Sequence, residues 1–381
     1  MKTTVRLSRS GIPFGIEPCQ AQAKLGPATR RRQSALSRRR PSLVKAIILA
    51  WAVSALAARP SQRAYSADLP SPAEAGYAKA GSDASQSRTG EQTSPGIPRT
   101  NLVQFYTSAW EGPRLPDGRP KVPDDIIQRM RNVSIEEAWA VLRNEGYHNQ
   151  FEGNWKMIHS NVPVVGRALT AQYMPARPDV KKMIDDQGRA EGRIGASNSW
   201  PIDMLQKGDV YVADGFGKII DGTLIGDNLG NSIFAKSGNG VVFDGSLRDL
   251  EGLEEIKGFN AFVRGWDPSF IQEVMLTGIN VPIRIGRALC LPGDVVLAKR
   301  EGVIFVPAHL AEKVVKNAEA IILRDRFGHQ RLKEGKYTPG QIDGKWSNEI
   351  REDFFKWLEQ NVNELPVPKK VIQEILEKRT W

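Results

Sequence analysis

Three charged residues stand at the two ends of one compact stretch, GDNLGNSIFAKSGNGVVFDGSLRD, from Gly226 to Asp249. Asp227 follows a glycine at its start, and the pair Arg248-Asp249 closes it. Between them lie a short helix pattern and an apolar strand. A strand that returns after a helix can carry its far end back toward the helix start, so the three charges can meet. Two carboxylates, a guanidinium and the unpaired N–H groups of a helix N-terminus suit a small oxoacid and a divalent cation. Mg²⁺ is often held by one or two carboxylates, with water and substrate filling its octahedron. The plain structural alternative is that Asp227 or Asn228 only caps a helix starting near Leu229 and ending at Gly238, while Arg248-Asp249 is a surface turn.

Other chemistry is thinly represented. The glycines of DGFGKIIDG, Asp214–Gly222, hint at phosphate binding but lack the lysine-hydroxyl pair and third glycine of nucleotide loops. His148, His159, His309 and His329 show no zinc-ligand spacing. Of the two cysteines, Cys19 lies near the N-terminus and Cys290 would be left without an intrachain partner. The formal net charge of +10 is concentrated in residues 1–66, where 13 Lys and Arg face the single Glu17. The remaining chain is slightly negative, so no nucleic-acid partner is expected.

The elements that must position the charges follow from periodicity. SIEEAWAVLRNEG reads as a helix with a Ser134–Glu137 capping box and a stop at Gly146. Strands are expected over Val162–Tyr173, Gly208–Gly215 and Asn239–Gly245, then over the short pieces FNAFVRG, VPIRIG, DVVLAKR and GVIFVP. A long helix is expected over Pro307–Phe327, with Leu310, Val314, Val315 and Ala318 on one stripe. Two amphipathic segments follow. Their apolar faces (Ile350, Phe354, Trp357, Leu358; Val371, Ile372, Ile375, Leu376) must pack on the same chain or on a neighbouring subunit.

The first 66 residues read as an export signal: a basic region, the apolar run AIILAWAVSALAA, then small-residue cleavage patterns. The run is too short for a bilayer span. An exported protein, periplasmic or secreted and with no stable membrane span after signal removal, is the expectation; an uncleaved anchor is the alternative. Residues 67–100 are rich in Pro, Gly, Ala and Ser and read as a disordered linker.

The block from about Pro163 to Pro307 resembles the RraA-like family, on VVGRALT, KGDVYVADGFG, IGDNLGNSIFAKSGNGVVFDGSLRD, VPIRIG, LPGDVVL and EGVIFVP, in family order. That family includes the regulator of RNase E activity and the class II 4-hydroxy-4-methyl-2-oxoglutarate aldolases; many members were once mislabelled dimethylmenaquinone methyltransferases. The resemblance implies an α/β fold, a β/β/α sandwich of the swivelling-domain type, with helical N- and C-terminal additions. The expected parts are a helical part at 101–160, the RraA-like domain at 161–327 and a helical extension at 328–381. It implies a homotrimer or a hexamer with sites at subunit boundaries.

By the same resemblance Asp249 looks like the metal ligand, for Mg²⁺ or Mn²⁺, and Arg248 like the residue on the substrate's keto or enolate oxygen. Asp227 looks like the acid–base residue, and the N–H groups of Asn228 and Leu229 like the carboxylate site. The implied activity is metal-dependent carbon–carbon lysis: retro-aldol cleavage of a 4-hydroxy-2-oxoacid to pyruvate, with oxaloacetate decarboxylation through the same enolate. Asp325 falls at the family's cross-subunit acid. Glu145 and Glu152 are candidates for a second acid. The family's D-x-D-G before its last strand is absent; Arg300 and Glu301 stand there. A non-catalytic binding or regulatory role is the alternative. A methyltransferase is not supported, because no strand is followed by G-x-G-x-G.

Overall fold

A computed structural model describes residues 100–379. The export-signal reading, Cys19 and nearly all of the linker lie outside the described residues. The described chain begins with helices α1 (Thr100–Tyr106), α2 (Asp124–Met130) and α3 (Ile135–Asn144), then strands β1 (Phe151–Glu152), β2 (Lys156–Met157) and β3 (Val164–Pro175). Next come α4 (Pro178–Ala190), α5 (Trp200–Asp203), β4 (Asp209–Thr223), α6 (Asp227–Ser237), β5 (Val241–Leu247) and α7 (Leu250–Glu254). Strands β6 (Ala261–Trp266), β7 (Val274–Ile279), β8 (Ile283–Ile285), β9 (Ala288–Cys290), β10 (Val295–Lys299) and β11 (Gly302–Val306) follow. The chain closes with α8 (Ala311–Lys333), α9 (Pro339–Asp343), α10 (Asn348–Asn361) and α11 (Lys369–Lys378).

One sheet runs in the order β1-β11-β10-β3-β4-β5-β6-β2, with β7 pairing the second half of β3. Its centre, β3-β4-β5-β6, is parallel, and the flanking pairs are antiparallel. Period-2 alternation sorts the side chains into two cores. Tyr211, Ala213, Phe243 and Val263 face the helical side, with Ile184, Ile233 and Leu253. Val210, Val212, Val242 and Phe262 face the small β8–β9 hairpin, with Ile283, Ile285 and Cys290. Hairpin, sheet and helices stack as a β/β/α sandwich, in line with the α/β fold expected from sequence.

Helices α2, α3 and α8 cover the β3-β10-β11 end through a third core. Ser134 accepts from the Glu137 N–H (3.1 Å) and Glu137 answers on the Ser134 N–H (2.7 Å), the expected capping box. The chain just ahead of α2 is anchored by the wholly buried Arg119. Its guanidinium donates to Asp117 (2.7 Å) and to the equally buried Asp209 at the start of β4 (2.8 Å).

Four local expectations are corrected. The strand expected to stop at Gly215 continues to Thr223, with register shifts against β5 after Asp214. Much of the glycine-rich DGFGKIIDG is therefore strand, and Asp214 turns its own carboxylate onto the Phe216 N–H (2.9 Å). The long helix starts at Ala311 after a 3₁₀ turn and runs to Lys333, six residues past Phe327. Helix α6 begins at Asp227 itself, and its N-cap is Gly226 without a side-chain cap bond. Its stop at Gly238 is as expected, in the left-handed conformation that glycine adopts freely. Finally, β7 and α4 were not anticipated.

The amphipathic faces of α10 and α11 pack on this chain. Phe354, Trp357, Leu358 and Ile372 are buried with Leu323 and Phe327 of α8. They therefore lend no support to a subunit interface.

Candidate active site

The ends of the parallel strands build the pocket. After β4 the chain passes through Leu224 and Ile225 into Gly226 and α6; β5 returns beside β4 and ends at Leu247. Two backbone bonds lock this return: the Leu224 N–H donates to Ser246 O and the Arg248 N–H to Ile225 O, both at 3.1 Å. Asp227 and Arg248-Asp249, distant in sequence, are thereby fixed side by side.

Asp227, Asn228, Leu229, Arg248 and Asp249 all line one pocket of about 130 Å³, with Asn198, Phe270 and Ile271 completing the wall. Asp249 holds φ 58° and ψ 46°, in the left-handed region. Its carboxylate lies against Gly226: a Cβ there would come within 2.1 Å of Asp249 Oδ2 and 3.3 Å of Arg248 Nε. Only glycine leaves room for both charged groups over the helix start. Arg248 Nε lies 3.3 Å from Asp249 Oδ2, and the two side chains are 40% and 43% exposed. Asp227 rests over α7, where a Cβ at Gly252 would meet its Oδ2 at 2.7 Å.

The helix-start donors differ from expectation. Asp227 Oδ1 accepts from the Asn228 N–H at 2.7 Å, so that amide is engaged by its own neighbour. The Leu229 N–H, in the first turn of α6, makes no hydrogen bond outside that helix among the described residues. Asn228 remains a wall residue, but its N–H is open to a ligand only if Asp227 lets go.

The remaining candidates lie elsewhere. Asp325 is exposed on α8 and does not line the pocket. Glu145 pairs with Lys313 (2.5 Å). Glu152 accepts from Arg264 and from the Arg287 N–H, both at 3.1 Å.

Asn198, Phe270 and Ile271 escaped the sequence reading. Asn198 is buried and donates to Leu224 O at 2.7 Å, which ties the segment before α5 to the pocket floor. Phe270 sits on a loop held by Ser269, whose hydroxyl accepts the Asp221 N–H (2.7 Å) and whose carbonyl accepts the Thr223 hydroxyl. No local pattern marks any of the three; tertiary packing alone brings them in.

A divalent cation fits this donor set. Asp249 offers a half-exposed carboxylate paired with Arg248. Among the described residues there is no cluster of three or more His, Cys, Asp or Glu suited to a metal ion. A cation here would take one carboxylate and leave its other positions to water and substrate, an arrangement Mg²⁺ accepts.

Comparison with known proteins bears on the same stretch. Residues 125–305 match the RraA-like family model, described as Aldolase/RraA. Protein DlpA of Legionella pneumophila is 27% identical over 200 residues, which cover 52% of this chain and 29% of that protein. The chain thus spans less than a third of that relative's length. The 4-hydroxy-4-methyl-2-oxoglutarate aldolase of Thermus thermophilus is 26% identical over 140 residues, 35% of this chain and 84% of that protein. Among solved structures, Streptomyces coelicolor RraAS2, described as an unusual member of the RNase ES inhibitor RraA protein family, is 26% identical, with a TM-score of 0.47 over 56% of this chain and 98% of its own. The matched region contains both charged turns of the pocket and the strands from β1 to all but the last residue of β11, and residues 125–305 are an RraA-like domain.

Proposed function

We propose that the protein is a divalent-metal-dependent carbon–carbon lyase that cleaves a 4-hydroxy-2-oxoacid to pyruvate. The observation that carries this reading is the gathering of Asp227, Arg248 and Asp249 around the start of α6 in one pocket. The 4-hydroxy-4-methyl-2-oxoglutarate aldolase name of a relative points the same way. When bound at Asp249, a divalent cation supplies Lewis-acid stabilisation of negative charge developing on the substrate's keto oxygen.

The chain's own residues do the rest. The Leu229 N–H at the helix start binds the 2-oxoacid carboxylate. The Arg248 guanidinium holds the C2 oxygen and strengthens its grip as that oxygen gains charge. Asp227, directly or through one water, takes the proton from the C4 hydroxyl. The C3–C4 bond then breaks, its electron pair forms the enolate of pyruvate, and C4 leaves as a carbonyl. Protonation at C3 completes pyruvate. Oxaloacetate would lose CO₂ to give the same enolate.

Assembly as a homotrimer or hexamer belongs to the same proposal, as does export with removal of residues up to about Ser66. Mass spectrometry of the native protein checks the latter; an intact N-terminus would count against it.

Pyruvate release from a panel of 4-hydroxy-2-oxoacids and from oxaloacetate, with Mg²⁺ or Mn²⁺ and with chelator, tests the activity. Cation-dependent turnover is expected. Absence of turnover across the panel, in protein that binds pyruvate, would favour a non-catalytic binding role instead.

A further inference from the structure

At the opposite end of the parallel strands lies a second pocket, of about 340 Å³. That volume is at the lower end of the roughly 300–1,000 Å³ of small-ligand sites. Three separate elements converge on it: Arg131 just past α2, Ser160 and Asn161 on the loop ahead of β3, and Lys299, Arg300 and Glu301 at the β10–β11 turn.

Its charge is unbalanced. Among the described residues, none of Arg131, Lys299 and Arg300 lies within ion-pair distance of a carboxylate. Lys299 is part-buried, and that burial holds its ammonium below the ordinary lysine range, against the pull of Glu301, Glu137 and Glu136. Three cations and one carboxylate line the site, while Glu136 and Glu137 act on Lys299 from outside the lining. A part-buried ammonium without a close counter-ion is costly unless a ligand supplies one.

The framework is rigid. The buried Asn260 side chain donates to His159 O (2.8 Å) and Val162 O (2.6 Å) and accepts the His159 N–H (2.9 Å). Those bonds pin both ends of the turn that presents Ser160 and Asn161. Helix α2 is held by Arg129, which pairs with Glu319 of α8 at 2.7 Å.

We infer that this pocket binds the phosphate group of a small phosphorylated molecule, at a site separate from the Asp227–Arg248–Asp249 pocket. Two guanidinium forks and an ammonium match phosphate oxygens. The excess of cations in the lining favours a phosphate monoester, which carries about −1.5 to −2 near neutral pH. The hydroxyl of Ser160 and amide of Asn161 add neutral donors, and the volume leaves room for an organic body.

The test is calorimetric titration of the full chain with inorganic phosphate and with glycerol phosphate at fixed ionic strength, with malonate as the dicarboxylate comparison. One saturable site per chain is expected, with phosphate and its ester preferred over malonate. Arg131→Gln and Lys299→Gln should each weaken binding by about tenfold or more, the loss of one charge-assisted hydrogen-bonding group. Glu301→Gln should tighten it, a change that misfolding cannot mimic. Arg248→Lys should leave it unchanged, and Lys299→Gln should leave pyruvate release unchanged. Absence of saturable binding, or binding that follows Arg248 rather than Lys299, overturns the site. Malonate binding as tightly as phosphate overturns the assignment of the ligand.

Discussion

Asp249 adopts a backbone conformation that residues other than glycine seldom hold, at a cost of about 1–3 kcal/mol. The return of β5 and the space over Gly226 sustain it, and the result is a carboxylate set beside a guanidinium at a helix start. The proposed roles separate by substitution. Asp249→Ala should weaken Mg²⁺ binding in calorimetric titrations, with activity partly restored by excess cation. Asp227→Asn should keep the cation and lose turnover by roughly 10²–10⁴-fold. Arg248→Lys keeps the charge but loses the planar fork, so affinity and turnover should both fall. If Asp227→Asn melts normally and turns over at the parent rate, the proton step does not belong to it.

Asp294, in the LPGDVVL motif, makes a different residue-scale case. Burial pushes its carboxyl up to about 8, although the N–H groups of Leu291 and Ala308 oppose the shift. A folded-state value above the unfolded one means that its stabilising contribution is complete below about pH 4 and is lost as pH rises through about 8. Thermal melts should therefore show Asp294→Asn gaining on the parent by up to roughly 1 kcal/mol per pH unit across that window. A constant difference between the two would refute the assignment.

At the scale of elements, what could be read in the sequence was local. The capping box of α3, the glycine stop of α6 and the turn-bounded apolar runs of β3, β4 and β5 are each written within a few residues. The meeting of Asp227 with Arg248-Asp249 was legible for the same reason, since one helix and one returning strand suffice. Asn198 and Phe270 were not legible, because a buried side-chain bond to Leu224 and a loop tied to β4 bring them in from outside that unit. Strand β7 was missed because Thr277-Gly278 interrupts its apolar run, and only pairing with the far half of β3 gives it a place. The C-terminal helices showed their apolar faces but not the surface they cover, which is the second half of α8. Phe327 lies wholly buried there, its ring 5.2 Å from Trp346 and 5.4 Å from Phe354. Phe327→Ala should cost about 3–5 kcal/mol and lower the melting temperature. Substrate affinity of the folded protein should be unchanged, because nothing in this cluster lines the pocket; a selective loss of affinity would show coupling between the two regions.

At the scale of the whole molecule, the pocket is small, open and flanked by apolar side chains that stand exposed among the described residues. Phe270 on its wall is 57% exposed, and Ile220 on the late part of β4 is 63% exposed. The two belong to one local unit, since the backbone of Asp221 is bonded to Ser269, Gln272 and Glu273. Exposed large apolar residues beside a polar site are a common mark of an interaction surface. The proposed trimer or hexamer would cover this rim with a second copy and draw the rest of the site from it, which would also account for Asp325, Glu145 and Glu152 of the same chain lying away from the pocket. Light scattering should then give a mass of three or six chains at micromolar concentration. Paired Ile220→Ser and Phe270→Ser substitutions should shift that mass toward the monomer and reduce turnover with it, while both exposed positions make a large loss of monomer stability unexpected. A parent protein that is monomeric at that concentration and still releases pyruvate would show that one chain completes the site, and the rim would then have to serve the substrate itself.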